Sequence, residues 1–296
     1  MDHWQKLINQ PGAIIADGAM GTMLQQAGLQ PGELPTLWNV EHAERVRAVH
    51  GAYLAAGAQI LLTNTFSGNR FCLAKHGLAP RVEELNMAGA QILRAEIEAQ
   101  NRQGAALVAG DIGPSGELLA PLGTLSFSEA VDGFAGQVRA LIKGGADVIW
   151  IETMADLEEV RAAVEGTRKA SADIPIIATL TFDTRGRTMM GVKPEAAAGA
   201  LMEWGVGAFG GNCGNGPDEM LAVIGKMHAA APGAILVAKP NAGAPEFVNG
   251  ATVYRAAPET MAEAALQLRA AGARIIGGCC GTMPGHIGAM ARALHL

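Results

Sequence analysis

Residues 146–154 read Ala146-Asp147-Val148-Ile149-Trp150-Ile151-Glu152-Thr153-Met154. Four apolar residues run together without alternation, and the run stops on a carboxylate and a hydroxyl. A strand covered on one face alternates apolar with polar residues. An unbroken run of this length, rich in β-branched residues, reads instead as a strand buried on both faces, as in a parallel sheet flanked by helices. The neighbouring segments agree, since 127–143 and 157–169 carry apolar residues at helical spacing.

The same unit recurs along the chain. Short apolar runs at 13–16, 59–63, 106–109, 148–151, 176–181, 207–209, 235–238 and 274–276 each end in a polar or glycine-bearing turn. Segments with helical periodicity at 41–56, 82–99, 127–143, 157–169, 193–204, 217–230 and 260–271 separate them. Strict strand and helix alternation predicts a parallel sheet. Eight units over 296 residues fit one α/β domain spanning 1–296, a (β/α)₈ TIM-type barrel, whose usual length is about 250 residues plus loops. A doubly wound sheet is the competing architecture. No Gly-x-Gly-x-x-Gly opens a helix after the first run, so its dinucleotide-binding form has little support.

Composition narrows the function. Hydrophobic residues make up 49% and charged residues 17%, enough for a large core. The net charge of −6, without a Lys/Arg-rich run, argues against nucleic acid. Neither an apolar signal core at the N-terminus nor an apolar run long enough to span a bilayer occurs, so a cytoplasmic, membrane-free protein is expected. Four cysteines in such a chain do not form a disulfide framework. In a reducing compartment a clustered set points to metal or catalysis.

Unusual residues follow the predicted strands: Asp17, Thr63-Asn64-Thr65-Phe66, Asp111, Glu152-Thr153, Asn212-Cys213, Lys239-Pro240-Asn241 and Cys279-Cys280. In a barrel these share one mouth, where active sites of the fold are built. Cys213, Cys279 and Cys280 make a credible zinc shell with one open position. A vicinal Cys279–Cys280 disulfide would be strained and would leave Cys213 unexplained. Three thiolates on a redox-inert metal suit the task of holding another thiol as a thiolate nucleophile. Iron–sulfur spacing patterns are absent. Asp17 and Glu152, together on one rim, can grip an ammonium group; the backbone amides near Gly18 and Gly21 suit a carboxylate. The same two carboxylates admit a hydrolase or lyase reading, and a non-catalytic zinc or thiol-binding module is a further alternative. Cys72 reads as a packed cysteine where a helix begins. His286 is either a ligand or a first-turn helix residue after Pro284, the second being the commoner outcome. His42, His50, His76 and His228 read as helix-surface or helix-boundary residues.

Asp17-Gly18-Ala19-Met20-Gly21-Thr22, Thr63-Asn64-Thr65-Phe66, Ile151-Glu152-Thr153, Gly211-Asn212-Cys213 and Gly277-Gly278-Cys279-Cys280-Gly281-Thr282 resemble, in order and over essentially the whole chain, the zinc-dependent homocysteine S-methyltransferase family. The resemblance implies a (β/α)₈ barrel and transfer of a methyl group to the zinc-bound thiolate of homocysteine, giving methionine. It implies Zn²⁺ on Cys213, Cys279 and Cys280, with no catalytic residue beyond the zinc site. It also implies Asp17 and Glu152 on the homocysteine ammonium, and backbone amides of Met20 and Gly21 on its carboxylate. Segments such as Pro240-Asn241-Ala242-Gly243 look most like the homocysteine-binding module of cobalamin-dependent methionine synthase. The betaine branch carries tyrosines where this chain has Asn69 and Thr153, and Trp38 is the only obvious member of an aromatic cage. The expected donor is therefore a methyl-corrinoid, delivered by a separate corrinoid protein, or a small sulfonium compound, with betaine ranked lower. Loops 183–191 and 242–253 are candidates for contact with a macromolecular donor, or plain connections.

Overall fold

The computed structural model describes residues 3–248 and 251–295. Eight strands, β1 (Ile14–Ile15), β2 (Ile60–Leu62), β3 (Leu107–Ile112), β4 (Val148–Met154), β5 (Ile176–Leu180), β6 (Ala208–Cys213), β7 (Leu236–Pro240) and β10 (Ala273–Ile276), form one parallel sheet. A hairpin of β8 (Glu246–Val248) and β9 (Ala251–Val253) interrupts the sequence after β7. The sheet closes on itself through a parallel bridge between Ala16 and Ile60 and the Asp17 N–H donating to the Ile60 carbonyl at 3.0 Å. The principal helices are α4 (Ala43–Ala55), α6 (Val82–Ala99), α7 (Phe127–Lys143), α8 (Leu157–Ala170), α9 (Pro194–Glu203), α10 (Pro217–Ala230), α11 (Pro258–Ala270) and α12 (Pro284–His295). Short helices α1 (His3–Ile8), α2 (Met20–Gln26), α3 (Trp38–Glu41) and α5 (Arg70–Ala74) complete the set. No helix among the described residues is long and apolar enough to cross a membrane.

All eight predicted runs are strands, and the barrel is the TIM-type (β/α)₈ fold. The helices beside β4 have explicit start signals. Ser126 and Glu129 form a capping box at α7, and Asp156 accepts the Glu158 N–H at 2.9 Å at α8. The strands differ from expectation in length. β3, β6 and β7 continue in ladder register through Asp111, Asn212-Cys213 and Lys239, with Asp111 opposite Trp150 and Asn212 opposite Lys239, whereas β4 runs on through Glu152-Thr153 across a bulge between Ile151 and Met154. Ladder hydrogen bonds are made by backbone, so a polar side chain that faces a cavity does not end a strand.

Side-chain alternation divides the core in two. Ile14, Ile60, Leu62, Leu107, Ala109, Val148, Trp150, Ile177, Ala208, Val237 and Ile275 pack together inside the barrel, and Trp4 and Leu7 of α1 join them. The intervening residues, such as Leu61, Val108, Ile149, Ile176, Phe209 and Ile276, pack against the helices. Residues two further on from the inner layer, Asp111, Glu152 and Lys239, therefore stand on the same face of their strands one level higher.

His50 departs from expectation. It lies in mid-α4 rather than on a helix surface, is fully buried, and neither ring nitrogen has a hydrogen-bond partner. Burial lowers its pKa to about 4, with nearby Glu96 pulling the other way. The unfolded chain takes up this proton below its ordinary value of 6.5, whereas the folded protein resists until about 4. The contribution is thus fully present above pH 6.5 and is lost as pH falls toward 4, to the extent of about 3 kcal/mol. Urea unfolding at pH 7 and pH 4.5 should show His50→Leu losing less stability on acidification than the parent. Parallel losses in the two proteins would remove His50 as the cause.

Candidate metal centre and substrate pocket

The C-terminal ends of the strands enclose a cavity of about 350 Å³. Its lining includes Asp17 to Thr22, Phe66, Asp111, Glu152, Thr153, Cys213, Lys239, Cys279 and Cys280. The strand-end residues singled out in the sequence thus meet at one mouth, brought there from β1, β2, β3, β4, β6, β7 and the turn after β10.

Gly18 lets two of these turns approach. A Cβ there would lie 2.8 Å from the Thr282 carbonyl and 2.9 Å from the Tyr53 ring. The Tyr53 hydroxyl, at 2.9 Å from the Thr282 carbonyl and 3.1 Å from that of Ala19, ties the same turns from below. Met20 and Gly21 open α2. Ala19 provides no side-chain cap, so the first N–H groups of α2 are uncapped where these residues line the cavity.

The floor is a charge cluster that the sequence reading only half anticipated. Asp17 Oδ1 accepts from Lys239 Nζ at 2.8 Å, and Asp17 Oδ2 accepts the Leu62 N–H at 2.8 Å. Both side chains are almost wholly buried, and the ammonium of Lys239 lies 5.0 Å from the centroid of the Trp150 ring. Burial disfavours the Lys239 charge, but Asp17 and Glu152 outweigh it and keep the ammonium protonated. Asp17 is therefore half of an internal ion pair, a partner that the sequence reading did not assign to it. This also removes it from service as a free acid or base, the role required by the hydrolase or lyase alternative. Glu152 carries no hydrogen bond among the described residues. Burial pushes its pKa up to about 7, with Asp17 and Cys280 adding to the rise and Lys239 opposing it.

Cys213, Cys279 and Cys280 place their sulfurs within 4.8 Å of one another, the only group of three potential metal-ligating side chains among the described residues. The Cys213 sulfur lies 2.8 Å from that of Cys279 and 3.9 Å from that of Cys280. Thiolates about 2.3 Å from a tetrahedral zinc stand about 3.8 Å apart, so the Cys213–Cys280 separation matches such a shell and the Cys213–Cys279 pair is closer than it. Hydrogen bonds from Cys213 and Cys279 draw the Cys280 thiol down to about 3 against the effect of burial, and Tyr254 contributes a further bond. Cys279 is pushed well up by its bonds to the other two and by burial. One thiolate forms readily and three do not without a cation among them, so the donor set fits a metal.

Asn212 holds the cluster to the substrate side. Its Oδ1 accepts the Thr153 N–H at 2.9 Å, and its Nδ2 donates to Thr153 Oγ1 at 2.7 Å and lies 3.8 Å from the Cys279 sulfur. Thr153 (φ 61°) and Cys213 (φ 60°) both sit in the left-handed region. That region is disfavoured for a β-branched residue and persists where surrounding bonds over-determine it. Here the Asn212 amide supplies two such bonds to Thr153.

Other residues fall outside the site. His286 stands in the first turn of α12. Its Nδ1 accepts the Met283 N–H at 3.0 Å and its Nε2 lies 2.9 Å from the Ala256 carbonyl, so neither nitrogen is free for a metal. Cys72 lies in α5, capped by Asn69, whose Oδ1 accepts its N–H at 2.9 Å. Trp38 is buried against His42 and Arg45 and does not line the cavity. Loop 242–253 holds the β8–β9 hairpin and includes residues 249 and 250, outside the described set. Among the residues of the site with no role assigned from sequence are Lys239, Asn212 and Tyr254. A lysine two positions beyond Val237 in an otherwise apolar strand was the available signal for the first. Tyr254, near in space to Cys280 but far in sequence, offered none.

These observations define a cluster of three thiols at the mouth of a barrel, with the donor set of a metal site, beside buried carboxyl groups. The chain belongs to the homocysteine S-methyltransferase family, whose sequence model matches residues 14–294. Methionine synthase of Mycobacterium tuberculosis is 34% identical over 297 aligned positions, which cover 95% of this chain and 24% of that protein. The chain thus spans about a quarter of the length of the curated relatives it matches. The crystal structure of homocysteine methyltransferase MmuM from Escherichia coli in its oxidized form superposes with a TM-score of 0.83 at 26% identity, covering 99% of both chains. Its metallated form gives 0.82 at 28% identity, covering 98% of this chain and 100% of that one.

Proposed function

We propose that this chain transfers a methyl group to the thiolate of homocysteine, giving methionine, with Zn²⁺ held by Cys213, Cys279 and Cys280. The observation that carries the reading is the meeting, in one cavity, of three convergent thiols and uncompensated carboxylate charge. The metallated form of MmuM and the convergence of three sulfurs support a metal, and the three-thiolate donor set favours zinc. Bound there, zinc would keep the substrate sulfur ionised at neutral pH. The chain's own residues do the rest. Glu152 receives the ammonium, and the uncapped N–H groups of Met20 and Gly21 receive the carboxylate, which aims the thiol at the cysteines. The new carbon–sulfur bond forms as the methyl group leaves its donor, and the bonding pair departs with the leaving group. The reading treats 1–296 as one barrel unit.

A corrinoid or sulfonium donor ranks above betaine. Phe66 is the only aromatic residue among the described lining, and Trp38 is packed away from the cavity, so a quaternary ammonium would find no cage. A donor panel with homocysteine, scored by methionine formed, tests the reading. Methionine is expected from methylcobalamin, a methyl-corrinoid protein or S-methylmethionine. Turnover with betaine alone would reverse the ranking, and no methionine from any donor, with no homocysteine binding, would end the proposal. Glu152→Gln should weaken homocysteine by about 1.5–3 kcal/mol while zinc stays bound, as read by calorimetry and metal content. Unchanged affinity would free Glu152 of its role.

A further inference from the structure

Cys213, Cys279 and Cys280 all line the cavity, and none of them is fully buried. With homocysteine bound beside them, a methyl donor entering the cavity meets four sulfurs, and the methyl group must reach only one. A methylated cysteine is a thioether, which can no longer ionise to the thiolate that binds metal. Each misplaced methyl group would therefore cost the protein its site.

Two of the three protein sulfurs accept hydrogen bonds from groups that are not thiols. Asn212 Nδ2 donates to the Cys279 sulfur at 3.8 Å. The Tyr254 phenol bonds the Cys280 sulfur. Gly281 makes room for this approach. A Cβ there would collide with the Tyr254 Cβ and lie 2.5 Å from its Cγ, so the tyrosine passes directly over the turn that carries Cys280. Tyr254 follows β9, at the close of the excursion that begins after β7. Its base is pinned to the same turn: the Ala242 N–H donates to the Cys280 carbonyl at 2.9 Å, and the Ala256 N–H donates to the Ala242 carbonyl at 3.0 Å.

The phenol is not needed to hold the turn. Thr22 Oγ1 accepts the Gly281 N–H at 3.2 Å, and Thr282 Oγ1 donates to the Cys279 carbonyl at 2.6 Å. Neither Tyr254 nor Asn212 lines the cavity, so neither is placed to touch substrate. Cys213 has only the other two thiols for hydrogen-bond partners among the described residues. A thiolate attacks with the electron pairs that such donors engage. Its charge is consumed in the attack, so a hydrogen bond to it weakens on the way to the transition state and raises the barrier.

We propose that Tyr254 shields Cys280, and Asn212 shields Cys279, from the methyl donor, which directs the transfer to the substrate sulfur. This rests on the zinc and homocysteine reading above. Both residues act through a ligand sulfur and touch neither substrate nor donor.

The test treats zinc-loaded protein, without homocysteine, with methyl iodide and locates S-methylcysteine by peptide mass spectrometry. In each event a carbon–sulfur bond forms, the carbon–iodine bond breaks, and iodide leaves with the bonding pair. In the parent, Cys213 should be methylated fastest of the three. Tyr254→Phe keeps the ring over Gly281 and removes the donor. It should speed methylation of Cys280 about 3- to 10-fold, as expected when part of a hydrogen bond to a charged group is lost in the transition state, and leave Cys213 within about twofold. Cobalt-loaded protein separates shielding from access. Without the hydrogen bond the Cys280 thiolate gives charge to the metal more easily, so the sulfur-to-cobalt absorption should move to longer wavelength. Zinc content and melting temperature are checked first, and the order of the three cysteines in the parent stands whether or not the variant folds. An unchanged Cys280 rate, equal acceleration at all three cysteines, an unshifted cobalt band, or a parent methylated first at Cys279 or Cys280 would overturn the shielding while leaving the methyl-transfer reading intact. A parent that holds neither zinc nor cobalt would overturn that reading and this inference with it.

Discussion

Cys213→Ser is expected to emerge from purification with little of the zinc that the parent retains, and to form methionine more than about 100-fold more slowly. Partners that merely orient a metal ligand are worth about 10- to 100-fold in affinity or activity, so loss of a ligand itself should exceed that range. A serine hydroxyl does not ionise near neutral pH and offers a hard oxygen where the site presents soft sulfur. The remaining pair, Cys279 and Cys280, are adjacent in sequence and supply only half of a tetrahedral shell. Metal analysis without chelator, beside a circular dichroism spectrum showing an intact barrel, decides the matter. Full zinc retention in a folded variant would mean that Cys213 is not a ligand.

Lys239→Met is expected to lower unfolding free energy by about 3–5 kcal/mol, because breaking a buried ion pair leaves its partner charged and unsolvated. Lys239 and Asp17 are 3% and 2% exposed, and the bond between them is 2.8 Å long. Methionine keeps the length of the lysine stem and removes the ammonium, so the loss comprises the bond to Asp17 and the smaller cation–π contact with Trp150. Urea denaturation at pH 7 reads the effect. The double variant with Asp17→Asn should recover much of it, since an amide tolerates the missing ammonium. A single-variant loss below about 1 kcal/mol would show that solvent reaches Asp17 and that the pair is not structurally important.

Much of the barrel was legible because buried strands advertise themselves. Val148-Ile149-Trp150-Ile151 has no polar residue to hide, and its counterparts at 13–16, 106–109, 207–209 and 235–238 follow the same rule. What failed at the strand ends was the assumption that a polar residue closes a strand. Asp111 and Lys239 continue their ladders, and β4 carries on past Glu152 through a bulge, because the mouth of the barrel gives these side chains somewhere to point. The short helices were missed for a different reason. α1 and α2 are too short to show a stripe, although Trp4 and Leu7 of α1 join the inner core. In the site, the three cysteines stood out as a set, since residue type alone announces thiolate chemistry. The Asp17–Lys239 pair did not, because its members are 222 residues apart and each has a plausible role alone. His50 was misplaced because a histidine among helical residues says nothing of the face it occupies.

The Asn212 side chain has a bearing on size selection. Asn212 precedes Cys213, and Thr153 follows Glu152, so a single amide with contacts of 2.7 and 2.9 Å joins the sulfur end of the site to the nitrogen end. The span between the two ends is set within the barrel wall, between β4 and β6 across β5, rather than by the loops above it. With homocysteine bound as proposed, the site would work as a fixed gauge for the number of carbons between thiol and amine, and the loops above could differ without resetting it.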